Sequence, residues 1–149
     1  MPPLFFTLEE LLPHRAPMIL IDRIESVDLE NKRLTASVTV KPQWSAAQTA
    51  IEFMAQSAAA LAGYEARLKH PDQPARPGFL LGTRKLALNL PRFEAGKKYL
   101  IKVASEFGDE VAGSFSCTVE DEEGQVAASA IINAYRPPNI DDFMKGLLQ

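Results

Sequence analysis

The stretch with the most chemical content is Ala50–Gly63, AIEFMAQSAAALAG. It has the composition of a buried helix, yet it carries one carboxylate, Glu52, and one carboxamide, Gln56. Spaced i, i+4, the two fall on a single helical stripe, with Ala60 one turn further on. An ionised carboxylate in apolar surroundings is costly or takes up a proton, because desolvation disfavours its charge. A helix that only filled a core would carry Ala or Leu there. Glu52 is therefore paired, or open to a cavity, or tuned for proton transfer. The plainer alternative is that it lies in the first turn of the helix, where negative charge is favoured and exposure is common.

Other reactive side chains are few. The chain has two histidines and one cysteine. His70 follows the charged end of the helix and precedes Pro71, so it reads as an exposed C-terminal residue favourable to the helix dipole. His14, in LPHR, either fixes the turn into the first strand, with Arg15 or Asp22, or serves as a second acid or base. Cys117 alternates with Phe115 and Val119, the pattern of a small buried residue. Tyr64, two turns beyond Gln56, reads as packing. Arg84, Lys85, Arg92, Lys97 and Lys98 form a locally basic segment, which by itself reads as a solvated strand edge. Trp44 either lines a cavity or caps the core. No His/Cys ligand cluster and no glycine-rich phosphate loop is present, so neither a metal nor a nucleotide is implied.

The elements that must position these groups follow from pattern. Thr7 and Glu10 make a capping box, predicting a short helix that Pro13 ends. MILIDRIESVD predicts a strand, and KRLTASVTVK a second, with Leu34, Ala36, Val38 and Val40 on one face. A polar turn, Asp28 to Asn31, separates them. The long helix is predicted from Ser45 to His70, followed by a proline-rich loop. FLLGTRKLALNL, KKYLIKVASEFG, VAGSFSCTVED and QVAASAIINAYRP predict four more strands with short connectors. A last helix begins at Asn139. Strands grouped on both sides of one apolar helix imply an α+β fold with an antiparallel sheet wrapped around that helix.

At 149 residues, residues 1–149 make one domain of ordinary size. A composition 46% apolar and 23% charged is that of a globular chain, and a net charge of −3 argues against general nucleic-acid binding. No apolar run approaches a membrane span of roughly 20 residues. A lone cysteine and the lack of a signal-like start suggest a cytoplasmic protein.

LLPHRAPMILIDRI resembles the opening motif of 3-hydroxyacyl-acyl carrier protein dehydratases, and IEFMAQSAAAL resembles their central-helix motif. FLLGTRKLALNLPRFEAGKKYLIKV is similar to the strand-turn-strand that follows. The resemblance runs from about Leu11 to Arg136. PGFLLGTR, Pro77 to Arg84, is closest to the dehydratase-like proteins of aryl polyene clusters. The resemblance implies a hotdog fold of five to six strands, pairing of two such units as a homodimer or heterodimer, and an acyl tunnel between them. It implies that Glu52 is the catalytic acid/base and that Gln56 organises it. His14 is a possible second group. Arg84, Gly82 and Trp44 would meet a substrate carried on the phosphopantetheine of an acyl carrier protein, without further cofactor. The basic segment would receive the phosphate of that arm and the acidic carrier protein. N–H groups at the start of the helix would polarise the thioester carbonyl.

The resemblance fails in one place. The loop that supplies a histidine in the fatty-acid enzymes is here KPQWSAAQTA, shorter and without histidine. Elimination of water ordinarily uses two groups of different pKa. The alternatives are a noncatalytic hotdog subunit that binds acyl thioesters or stabilises an active partner, and an acyl thioesterase.

Overall fold

The computed structural model describes residues 7–12, 18–69, 71, 79–108 and 112–135. The expected final helix from Asn139, and both histidines, lie outside them. In chain order the elements are α1 (Leu8–Leu11), β1 (Arg23–Asp28), β2 (Arg33–Thr39), a 3-10 turn (Pro42–Trp44), α2 (Thr49–Lys69), β3 (Phe79–Leu88), β4 (Lys98–Gly108), β5 (Ala112–Asp121) and β6 (Val126–Tyr135). The six strands form one antiparallel sheet in the order β1-β2-β4-β5-β6-β3. One long helix packed on an antiparallel sheet is what the pattern of elements anticipates, and it is the hotdog arrangement that the resemblance implies.

α1 forms where its capping box says it should. The Glu10 N–H donates to the Thr7 hydroxyl at 3.2 Å, and the Thr7 N–H donates to Glu10 Oε1 at 3.1 Å. Leu11 and Leu12 then bury completely. α1 lies against α2 with no space between the backbones, because a Cβ at Gly63 would collide with the Leu11 carbonyl. The Arg67 Nε–H donates to the Glu10 carbonyl at 2.8 Å, which ties the short helix to the last turns of the long one.

Two boundaries differ from expectation. β1 begins at Arg23, not Met18. Leu20 and Ile21 are consecutive and both buried, which does not fit the two-residue alternation of a half-buried strand. α2 begins at Thr49, not Ser45. Pro42 opens a separate 3-10 turn, closed by the Ser45 N–H donating to the Pro42 carbonyl at 3.4 Å. The Phe93 N–H then holds the Ser45 carbonyl at 2.7 Å.

The core lies between α2 and the inner face of the sheet. Leu34, Ala36 and Val38 of β2, with Ile101 and Val103 of β4, meet Phe53, Met54 and Leu61 of the helix. Phe93 makes edge-on contacts with Phe53 and Tyr99, ring centroids 5.5 and 5.0 Å away. The many alanines of α2 keep its surface narrow, which lets the sheet close around it. None of the described helices is long and apolar enough to cross a membrane.

Candidate functional site

Glu52 lies in the first turn of α2 and is half-buried. Both readings of it therefore hold in part: it has the favourable position of a first-turn acid, and it is paired. Gln56, one turn on, is 0% exposed. Its Nε2 donates to Glu52 Oε1 at 2.9 Å and to the Met18 carbonyl at 2.7 Å. Its Oε1 accepts the Leu20 N–H at 2.9 Å. Only this orientation of the carboxamide satisfies all three partners, so the assignment of its oxygen and nitrogen follows from the network.

A carboxamide has two N–H bonds, and here one goes to Met18 and the other to Glu52. Gln56 thus has no donor left for a substrate. It acts by holding the Glu52 carboxylate and by fastening the Met18–Leu20 backbone to the helix, taking the place of a neighbouring strand. This also explains why β1 starts late, since the Leu20 N–H is already used. Sequence reasoning found the Glu52–Gln56 pair but not its backbone partners. They lie 36 and 38 residues away, and no local signal marks them.

The helix start does not offer the N–H groups expected there. Those of Thr49, Ala50 and Ile51 donate to the carbonyls of Ala46, Ala47 and Gln48 at 3.0 to 3.1 Å. A tightened lead-in turn uses donors that a plain helix terminus would leave open. These three groups are therefore not open to polarise a carbonyl.

The remaining candidates scatter. Trp44 is half-buried and packs on the core from the 3-10 turn. Gly82 and Arg84 stand on β3, opposite Asn133 and Ile131 of β6. Arg84 is exposed, and a side chain at Gly82 would meet open space. The basic segment is dispersed over β3, the connector and β4. Lys97 pairs with Glu94 at 3.9 Å and lies 5.8 Å over the Tyr99 ring, while Lys98 pairs with Glu25 at 3.7 Å. Cys117 is buried as expected, and burial pushes its thiol pKa up to about 12. Tyr64 is buried packing, and burial raises its pKa as well. Among the described residues, no group of three or more His, Cys, Asp or Glu side chains could hold a metal.

A long helix held against a six-stranded antiparallel sheet, with a glutamate–glutamine pair in its first turns, defines a hotdog protein. The chain belongs to the ApeP-like family: the model of the ApeP dehydratase matches residues 6–145. Among solved structures, it is similar to the dehydratase heterocomplex ApeI:P from Xenorhabdus doucetiae. The TM-score is 0.86 at 26% identity, over 97% of this chain and 99% of that one. Two others share the fold alone. A hypothetical thioesterase with coenzyme A from Streptococcus pneumoniae has a TM-score of 0.59 at 11% identity, over 77% of this chain and 84% of that one. The PaaI protein of the E. coli phenylacetic acid degradation operon has a TM-score of 0.57 at 13% identity, over 80% of each chain. The resemblance read from the central helix and from PGFLLGTR is thereby borne out.

Proposed function

We propose that the chain serves the dehydration of 3-hydroxyacyl thioesters carried on the phosphopantetheine arm of an acyl carrier protein, as one half of a heterodimer with a hotdog homologue. The observation that carries this reading is the buried Gln56 carboxamide, which spends a donor on Glu52 at 2.9 Å. A carboxylate held in one rotamer at the edge of a core is poised for proton transfer, and a solvated first-turn acid has no need of such a holder.

In the elimination, the C–H bond beside the thioester carbonyl breaks, and its electron pair forms the C=C bond as the C–O bond to the 3-hydroxyl breaks. The departing oxygen takes up a proton and leaves as water. Glu52 supplies one of these proton transfers. The segment between β2 and α2 has no histidine to supply the other. His14, or a group from the homologue, fills that role. The heterodimer draws support from the ApeI:P heterocomplex and from β3. That ten-residue strand pairs with β6 on one side only among the described strands, and it exposes Leu86 and Leu88 at 42% and 36%. A long open sheet edge that exposes leucines invites another strand.

A second reading is favoured by the same missing histidine: a noncatalytic subunit that binds acyl thioester and stabilises an active partner. Mass spectrometry of a 3-hydroxyacyl thioester incubated with the chain, alone and with a hotdog homologue, separates the cases. Loss of water that depends on Glu52 supports the proposal, and dependence on His14 as well would assign it the second transfer in place of a group from the homologue. Loss of water indifferent to both, when the homologue is present, supports the accessory subunit. Release of free thiol would make the chain a thioesterase.

A further inference from the structure

The face of the sheet turned away from α2 carries a groove of about 620 Å³, lined by residues of five strands. Its floor is two adjacent cross-strand rungs. One runs Arg33, Ala104, Ser116, Ile131, and the other Thr35, Lys102, Thr118, Ser129. The groove thus crosses the strands from β2, over β4, β5 and β6, to β3. There the register slips between Arg84 and Ala87, and Lys85 adopts a left-handed φ of 54° at the bulge. Arg33 and Lys85 mark the two ends, and Lys102, shared with Glu120 at 3.2 Å, stands between them. Both end cations are exposed. A molecule of net charge −3 has here gathered three cations along one line.

Length and charge select the occupant. Four strand spacings put the ends roughly 19 Å apart, which an extended chain of about six residues spans, and the exposed cations at the two ends call for carboxylates. The floor hydroxyls of Thr35, Ser116 and Ser129 are of the type that hydrogen-bonds a peptide backbone.

We infer that this cross-strand groove docks an extended acidic segment of a partner protein, with carboxylates four to six positions apart meeting Arg33 and Lys85. The inference does not depend on the proposed dehydration, since the groove lies on the opposite face of the sheet from Glu52. The test selects a displayed library of random heptapeptides on the full chain and measures the enriched peptides by fluorescence anisotropy. The doubly substituted chain Arg33→Gln/Lys85→Asn removes the end charges. Asn tolerates the left-handed backbone at position 85, and circular dichroism checks that the fold is kept. Expected are peptides enriched in Asp or Glu pairs at that spacing, at least tenfold weaker on the double variant, and weaker again between 50 and 200 mM salt as screening grows. No enrichment, enrichment without paired carboxylates, or binding to the double variant within threefold of wild type would overturn the inference.

Discussion

Gln56 shows how much one buried side chain can hold. Replacing it with Leu leaves the buried Leu20 N–H without its partner, while the Met18 carbonyl, on an exposed residue, can turn to water. One buried polar group stripped of its hydrogen bond costs about 1–3 kcal/mol, so Gln56→Leu should lose about that much in urea unfolding. No loss would show that water replaces the carboxamide. Cys117 offers a cleaner readout, because it is the chain's one cysteine. With its thiol pushed up to about 12, it is protonated at pH 8 and shielded as well. A thiol reagent such as dithionitrobenzoate should leave the native protein unlabelled and react fully in urea. Fast labelling without denaturant would mean that the sheet opens at β5.

Glu25 links a residue to pH. The Ser37 hydroxyl donates to its carboxylate at 2.8 Å, and that bond, with Arg23 and Lys98 nearby, holds its pKa below the usual carboxylate value. A folded pKa lower than the unfolded one, about 4.3, adds stability that is present above that value. The contribution fades as pH falls through the folded pKa. Ser37→Ala should flatten the fall in stability on acidification below pH 5, measured by urea midpoints across pH 3 to 7. An unchanged slope would assign the acid limb to other carboxylates, such as Asp28, which the Asn31 side chain and N–H hold down in the same direction.

Among the elements, the contact of α1 with α2 is the most sharply constrained. Gly63→Ala should gain up to about 1 kcal/mol of helix propensity, yet its Cβ would strike the backbone carbonyl of Leu11, which no rotamer change can clear. Overpacking of this kind costs about 1–3 kcal/mol, so the variant should be less stable than wild type; greater stability would mean that α1 is not seated there. Much of the element pattern was legible from local signals. The Thr7–Glu10 capping box, the alternation from Leu34 to Val40 and the apolar length of α2 each depend on neighbours in sequence. What was not legible depends on distant partners. The late start of β1 follows from Gln56 taking the Leu20 N–H. The bulge at Lys85 follows from the register of β3 on β6, which composition does not reveal. The lead-in turn, in which the carbonyls of Ala46, Ala47 and Gln48 take the N–H groups of Thr49, Ala50 and Ile51, has its acceptors in the KPQWSAAQTA run, where only the absence of histidine could be read.

For the whole molecule, the sheet presents two uses of its surface beyond the core. The β3 edge exposes Leu86 and Leu88 and suits pairing with a homologue, while the outer groove with Arg33 and Lys85 suits an acidic chain. Lys placed at Leu86 and Leu88 would put charge on the open edge, the means by which natural sheets avoid pairing. Leu86→Lys/Leu88→Lys should lower the mass seen in sedimentation with a hotdog homologue to that of the separate chains, and an unchanged complex would move the interface elsewhere. The candidate site was legible only as the i, i+4 pair. Its holder function became visible once the fold brought Met18 and Leu20 to Gln56.

The proposed proton transfer by Glu52 is read from the turnover of a 3-hydroxyacyl pantetheine thioester with the homologue present, comparing the wild-type chain with Glu52→Gln. Loss of a proton-transferring side chain removes about 10²–10⁴ of rate, so Glu52→Gln should show at least a hundredfold fall in kcat with the complex still formed. Equal turnover by the two complexes would contradict it and leave the carboxylate a structural partner of Gln56.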